Sequence, residues 1–211
     1  ARTCRFMLTE EAHHMFVGDT GIQRVVGRTC ELMKAHDTED VAPHGGINLD
    51  TVQRYLNFHF AVSIDLFGGE FSTNAANYFS AGLKGRYREE KIEDDHVLAT
   101  AHYSVPKLEG GVISESEEAA LTVINERLRD DYIEDCEKGI ERWNRVIRES
   151  GFDHVLRLPH RAFQRAIGQY REAHFTPEGK AIGDAEWSAR KDEWLPSEGE
   201  RAHVISLMQR V

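Results

Sequence analysis

Apolar residues recur at three- and four-residue steps along most of this chain, and that period predicts helices almost throughout. Residues 4–35 contain no proline, and Met7, Leu8, Ala12, Met15, Phe16, Ile22, Val25 and Val26 keep helical intervals, so the spacing predicts one long helix with a polar stripe. Residues 36–48 carry Pro43 and Gly45-Gly46 and read as a connection. Asp50 is placed to cap a second helix with Val52, Leu56, Phe60 and Ile64 on its apolar face, broadened by Phe58, Ala61 and Val62 until Gly68-Gly69 perturb or end it. The pattern resumes through Phe71, Ala75, Tyr78 and Phe79, turns at 82–85, and continues as a helix over 87–103 that Pro106 closes. A Gly-rich loop is expected over 106–114, after which Ser116 caps a charged helix reaching about residue 150, with Val123, Ile133, Ile140, Trp143 and Ile147 on its apolar side. Helices over 161–174 and 198–209 complete the chain, separated by the turn signal Thr176-Pro177-Glu178-Gly179. No strand is expected, and the fold class reads as all-α.

Composition narrows the picture. A chain of 211 residues buries a real core. No apolar run approaches the roughly 20 residues of a membrane helix, so a soluble, cytoplasmic protein is expected. Cys4, Cys30 and Cys136 are odd in number and lack Cys-x-x-Cys spacing, which argues for buried thiols over a disulfide framework or a thiolate metal site. A net charge of −10 argues against general nucleic-acid or anionic-membrane binding, while leaving room for a local basic pocket for a phosphorylated ligand. The sequence starts inside an amphipathic helical pattern without an initiator Met, so preceding helices are expected.

The candidate chemistry lies in Glu-x-x-His spacings. A carboxylate and an imidazole three residues apart share a helix face, and two such helices offer two Glu/His pairs to one pocket, as in bundles that hold a pair of iron or manganese ions. Four matches occur, Glu10/His13, Glu11/His14, Glu93/His96 and Glu200/His203, where composition alone would produce about one, so spacing is weak by itself. Asp65 adds weight: within Val62-Ser63-Ile64-Asp65-Leu66-Phe67 an unpaired carboxylate would be costly to bury, so it is paired, metal-bound or turned to solvent. Helix rises of 1.5 Å per residue allow Glu11, His14, Asp65, Glu93 and His96 to share a level without requiring it. Flanking apolar positions favour Glu11/His14 over Glu10/His13 only slightly, because about 100° of helix rotation separates the pairs. Glu200/His203 reads as a surface pair, and Asp94 and Asp95 as an acidic edge able to orient a ligating imidazole.

The segments MLTEEAHHMFVGDTGIQRVV, FAVSIDLFGGEFSTNAANYFSAGLKGRYREE, DDHVLATAHY and EWLPSEGERAHVISLMQRV carry a resemblance spanning essentially the whole chain. They resemble the oxygenase component of benzoyl-CoA 2,3-epoxidases, ferritin-like di-iron enzymes of aerobic benzoate catabolism. The resemblance implies a helical bundle, two iron ions with manganese as the alternative, and ring epoxidation of benzoyl-CoA by O2. It also implies electrons from NADPH through a separate flavin/iron-sulfur reductase. Ligand roles carry over to Glu11, His14, Asp65, Glu93 and His96. The family's sixth ligand, a glutamate on an earlier helix, has no counterpart here, so the chain resembles a C-terminal portion. On that basis residues 1–105 are expected to form part of the di-iron bundle and 106–211 a helical extension packed on it in one structural domain.

Several residue types suit such chemistry. Phe58, Phe60, Phe67, Phe71 and Phe79 could line an aromatic pocket, although aromatics at helical spacing more often form plain core. Coenzyme A needs cations for its phosphates, and Lys84, Arg86 and Arg88 cluster in sequence while Arg161 and Arg165 share a predicted helix face, with surface solvation the competing reading. Two further functions stay open from the residues: a ferritin-like iron-binding or storage protein without oxygenase activity, and a metal-free helical interaction module.

Overall fold

The computed structural model describes residues 2–69, 101–120 and 122–208. Among them the chain is mostly helical, with two small hairpins. The helices are α1 (Arg2–His36), α2 (Leu49–Asp65), α3 (Ile124–Glu149), α4 (Asp184–Trp194) and α5 (Glu198–Leu207). The strands are β1 (His102–Glu109), β2 (Val112–Ala119), β3 (His174–Phe175) and β4 (Ala181–Ile182). Two compact units share this chain, one comprising 1–57, 135–158 and 192–211, the other 58–134 and 159–191.

The first unit is built on the C-terminal half of α1. Val26, Cys30, Leu32 and Met33 are buried there against Val41, Leu49, Val52, Ile140, Ile147 and Leu156. α1 stops where Asp37 takes a left-handed φ of 50° and the Thr38 N–H reaches back to the Met33 carbonyl, a Schellman-type ending. The connection then packs so closely that a Cβ on Gly46 would lie 2.7 Å from both Leu32 Cδ1 and Val41 Cγ2, which is why glycine stands there. α3 ends the same way, with Gly151 at φ 84° and N–H bonds from Gly151 to Arg148 and Phe152 to Ile147. Asn144 then grips the returning chain, donating to the Leu156 carbonyl at 2.9 Å and accepting the Leu156 N–H at 2.8 Å. The earlier half of α1 is different: Phe6, Met7, Met15, Phe16 and Val17 are all more than half exposed.

The second unit corrects the all-α expectation. β1 and β2 pair antiparallel in register from His102 with Ala119 to Glu109 with Val112. Gly110 and Gly111 both have positive φ, 57° and 81°, as the tight turn of a two-residue hairpin requires. Pro106 sits in a two-stranded ribbon, where its missing N–H costs no ladder bond on an outer edge. Strand therefore replaces the expected loop over 106–114 and the last residues of the expected 87–103 helix; the rest of that helix lies outside the described residues. Ser116 is mid-strand, and α3 begins at Ile124 rather than near 116. The helix expected over 161–174 is a run of turns, with Gln164 and Gly168 at φ 48° and 85°, leading into β3. Ala162, Tyr170 and Phe175 are buried there, with Leu108 and Ile113 of the first hairpin packed against them. The turn read at 176–179 is present, joining β3 to β4 with the Gly179 N–H on the Thr176 carbonyl.

No described helix is long and apolar enough to cross a membrane.

Candidate metal centre

Glu11 and His14 lie on one face of α1, as their three-residue spacing requires, with His14 Nδ1 3.7 Å from Glu11 Oε2. Both side chains are exposed, and so are Glu10 and His13, so burial does not separate the two candidate pairs. Each pair presents one carboxylate and one imidazole, donors suited to iron or manganese.

Asp65 is the last residue of α2, in the second unit. A helix C-terminus carries partial negative charge, so a carboxylate placed there calls for a cation. Arg165 supplies it: its Nε donates to Oδ1 at 2.6 Å, and the Ala166 backbone N–H donates to Oδ2 at 2.9 Å. Of the three states open to Asp65 from the sequence, the paired one is observed. Each carboxylate oxygen takes one donor here and keeps a further lone pair. Glu93 and His96 lie outside the described residues, as do Asp94, Asp95, Lys84, Arg86, Arg88, Phe71 and Phe79. Among the described residues no three His, Cys, Asp or Glu side chains group as a metal cluster.

Arg165 belongs to a charge network that the sequence did not signal. Glu126 and Arg129 are both buried, pair with each other one turn apart on α3, and Glu126 also receives Arg161. Arg161 reaches Asp130 as well, at 2.6 Å. Arg129 Nη2 donates to the Gly68 carbonyl at 2.9 Å and the Gly69 carbonyl at 3.3 Å. Arg161 and Arg165 are thus paired with carboxylates inside this unit, which corrects the reading of them as solvated surface cations. Their shared helix face does not exist, because the segment is turns. Glu126 and Arg129 do stand at a three-residue spacing, but exposed pairs of that kind are common, and nothing local marks this one as buried.

Among the aromatics, Phe60 is buried in the core, while Phe58 and Phe67 are half-buried, the latter 5.4 Å from the Tyr132 ring.

Glu200 and His203 also differ from the surface pair expected. Glu200 completes a capping box with Ser197 at the start of α5, and its carboxylate accepts from Thr51 Oγ1 and Arg54 Nη1, each at 2.6 Å. His203 Nε2 lies 2.7 Å from the Gly46 carbonyl. Burial pushes the Glu200 carboxyl up, but the hydrogen bonds from Thr51, the Ser197 N–H, Arg54 and the Ser197 hydroxyl outweigh it and hold the pKa at about 2. The pair fastens α5 within the first unit. His160, in the second unit, accepts the Ala162 N–H at Nδ1, and burial followed by the nearby Arg161 charge pulls its pKa down.

No protein-family profile matches the chain. A full-length match exists to benzoyl-CoA oxygenase component B of Aromatoleum evansii, 51% identical over 213 aligned residues. The alignment covers all of this chain and 45% of that protein, so the chain spans about half the length of the relative and is homologous to a portion of it.

Proposed function

We propose that this chain is part of the oxygenase component of a benzoyl-CoA oxygenase, a ferritin-like di-iron enzyme that epoxidises the aromatic ring at the 2,3 position with O2. In this reading it receives electrons from an NADPH-dependent flavin/iron-sulfur reductase. The observation that carries the reading is 51% identity sustained over the entire chain. Glu11, His14, Asp65, Glu93 and His96 are the ligands proposed, with manganese the alternative to iron.

Among the described residues, what supports the reading is the donor type of each proposed ligand taken singly. Glu11 and His14 supply oxygen and nitrogen from one helix face, and Asp65 retains a lone pair on each oxygen beyond its bonds to Arg165 and Ala166. When bound, the iron pair supplies the electron transfer that O2 activation needs. The chain's own residues bind and orient. Glu11 and His14 would each present one donor from the same face of α1. The Arg165 Nε and the Ala166 N–H each donate to one oxygen of the Asp65 carboxylate.

The test uses the intact protein carrying this chain, reconstituted with ferrous iron, reductase, NADPH and benzoyl-CoA under O2. The expected outcome is about two iron atoms per chain and a CoA product heavier by one oxygen in mass spectrometry. Iron uptake without turnover would replace the oxygenase reading with iron binding or storage, and failure to bind any metal would remove both.

A further inference from the structure

We propose that the outer edge of β2 is a docking strand for a partner protein, which adds to it an extended segment carrying lysine or arginine at alternate positions. The basis is a difference between the two edges of the first hairpin. On the β1 side the Leu108 N–H donates to Gln169 Oε1 at 3.1 Å, and the Pro106 carbonyl accepts from Gln169 Nε2 at 2.7 Å and from the Tyr170 hydroxyl at 3.3 Å. That edge is closed from within its own unit. The same bonds fix the phase of the ribbon. Leu108 and Pro106 turn their backbone groups away from β2, so their register partners Ile113 and Glu115 turn theirs away from β1, and Glu117 follows two residues on. Among the described residues no hydrogen-bond partner meets the outward N–H and C=O groups of Ile113, Glu115 and Glu117.

The side chains along this edge select the occupant. Glu115 and Glu117 are both exposed and stand two residues apart, on one face of the ribbon. Glu115 receives the Ser104 hydroxyl at 2.5 Å, and neither carboxylate has a cationic partner among the described residues. Glu118, on the opposite face, is already paired with Lys107 at 2.5 Å. A strand laid on the open edge places its residues directly opposite Glu115 and Glu117, where unlike charges stabilise the pairing and like charges oppose it. Two carboxylates two residues apart therefore match two cations at the same spacing. The same rule works against a second copy of this chain, because antiparallel pairing of β2 with itself about its centre sets Glu115 against Glu117. Charge on an exposed edge keeps unsuited strands away, and here it leaves a basic segment as the one that gains. In strand addition the main-chain bonds supply affinity and the alternate side chains supply selectivity.

The experiment titrates the intact protein carrying this chain into two fluorescent synthetic peptides, one alternating lysine with valine and one alternating glutamate with valine. Anisotropy reads affinity, and amide hydrogen exchange followed by mass spectrometry locates the contact. The lysine peptide is expected to bind, more weakly as salt is raised, and to slow exchange over residues 112–119, while the glutamate peptide does neither. Glu115→Ala together with Glu117→Ala, two exposed positions, is expected to weaken lysine-peptide binding about 3- to 30-fold. A lysine peptide methylated at the backbone nitrogens of its lysines keeps its charge and loses its donors, and is expected to bind about tenfold more weakly or worse. Equal binding of the methylated peptide would mean charge attraction without strand pairing and overturns the proposal. So do absence of lysine-peptide binding, parental affinity in the double variant, and protection that falls outside 112–119. Slow exchange of these amides before any peptide is added would show the edge already paired in the intact protein, with the same consequence. Self-association that Glu117→Pro abolishes, by removing an outward N–H and no ladder bond, would assign the edge to a second copy and overturn the basic partner.

Discussion

Replacing Glu200 by glutamine keeps the shape of the side chain while removing the charge on which four donors converge: Thr51 Oγ1, Arg54 Nη1, the Ser197 N–H and the Ser197 hydroxyl. A carboxyl pKa lowered from 4.5 to about 2 corresponds at face value to about 3 kcal/mol of stability near neutral pH. The Glu200 side chain is 18% exposed and Arg54 29%, so solvent screening reduces that to about 1–2 kcal/mol. For a chain of this size the loss lowers the melting temperature by roughly 2–8 °C. The sign follows from linkage. The folded-state pKa lies below the unfolded one, so the stabilisation is fully present above pH 4.5 and disappears as pH falls through about 2. Thermal or urea unfolding of the parent and Glu200→Gln proteins from pH 7 down to 2 measures the difference directly. The gap should be constant above about pH 5 and close steadily below it. A gap of the same size at pH 7 and pH 2.5 would refute the electrostatic account, and no gap at any pH would return Glu200 to the status of a solvated surface residue.

Three further outcomes are expected. Asn144→Ala leaves the buried N–H and C=O of Leu156 without their partner and should destabilise by about 2–4 kcal/mol, read as a lower urea midpoint at unchanged slope. His160 has a folded pKa below 6.5 because of burial and then Arg161, so its contribution to stability is full above pH 6.5 and is lost as pH falls through the folded value; melting temperatures of the parent should drop more steeply between pH 7 and 5 than those of His160→Gln. Glu93→Ala should abolish iron binding in a metal-content assay, whereas Glu200→Ala should lower the melting temperature and leave the iron content intact; equal loss of iron from both would show the wrong Glu-x-x-His match was chosen.

The helices that the sequence revealed share a property: their apolar residues keep one period over several turns. α1 and α2 were readable for that reason, and α5 was placed within two residues of its end. The first hairpin was missed although Gly110-Gly111 is a strong two-residue turn signal. Its second strand, Val112–Ala119, is rich in Glu and Ser and reads locally as the start of a helix, while its strand state comes from pairing with β1 across the turn. The 161–174 segment misled in the opposite direction. Its residues suit a helix, but Arg161 and Arg165 each find a carboxylate elsewhere in the unit, and left-handed φ values at Gln164 and Gly168 let the backbone bring them there.

The candidate site divides along the same line. The sequence settles that Glu11 and His14 share a helix face, because a three-residue spacing on a helix leaves no alternative, and it narrows Asp65 to three states, paired, metal-bound or turned to solvent, because an unpaired buried carboxylate is costly. It also carried a resemblance that the full-length 51% identity supports. Which partner Asp65 has, and that Glu200 is a fastening within the first unit rather than a surface charge, were decided only by tertiary structure. Arg165 is 100 residues from Asp65, and Thr51 is 149 from Glu200. No local period encodes pairings at that distance; they exist because the folded backbone brings the charges together and withdraws them from water.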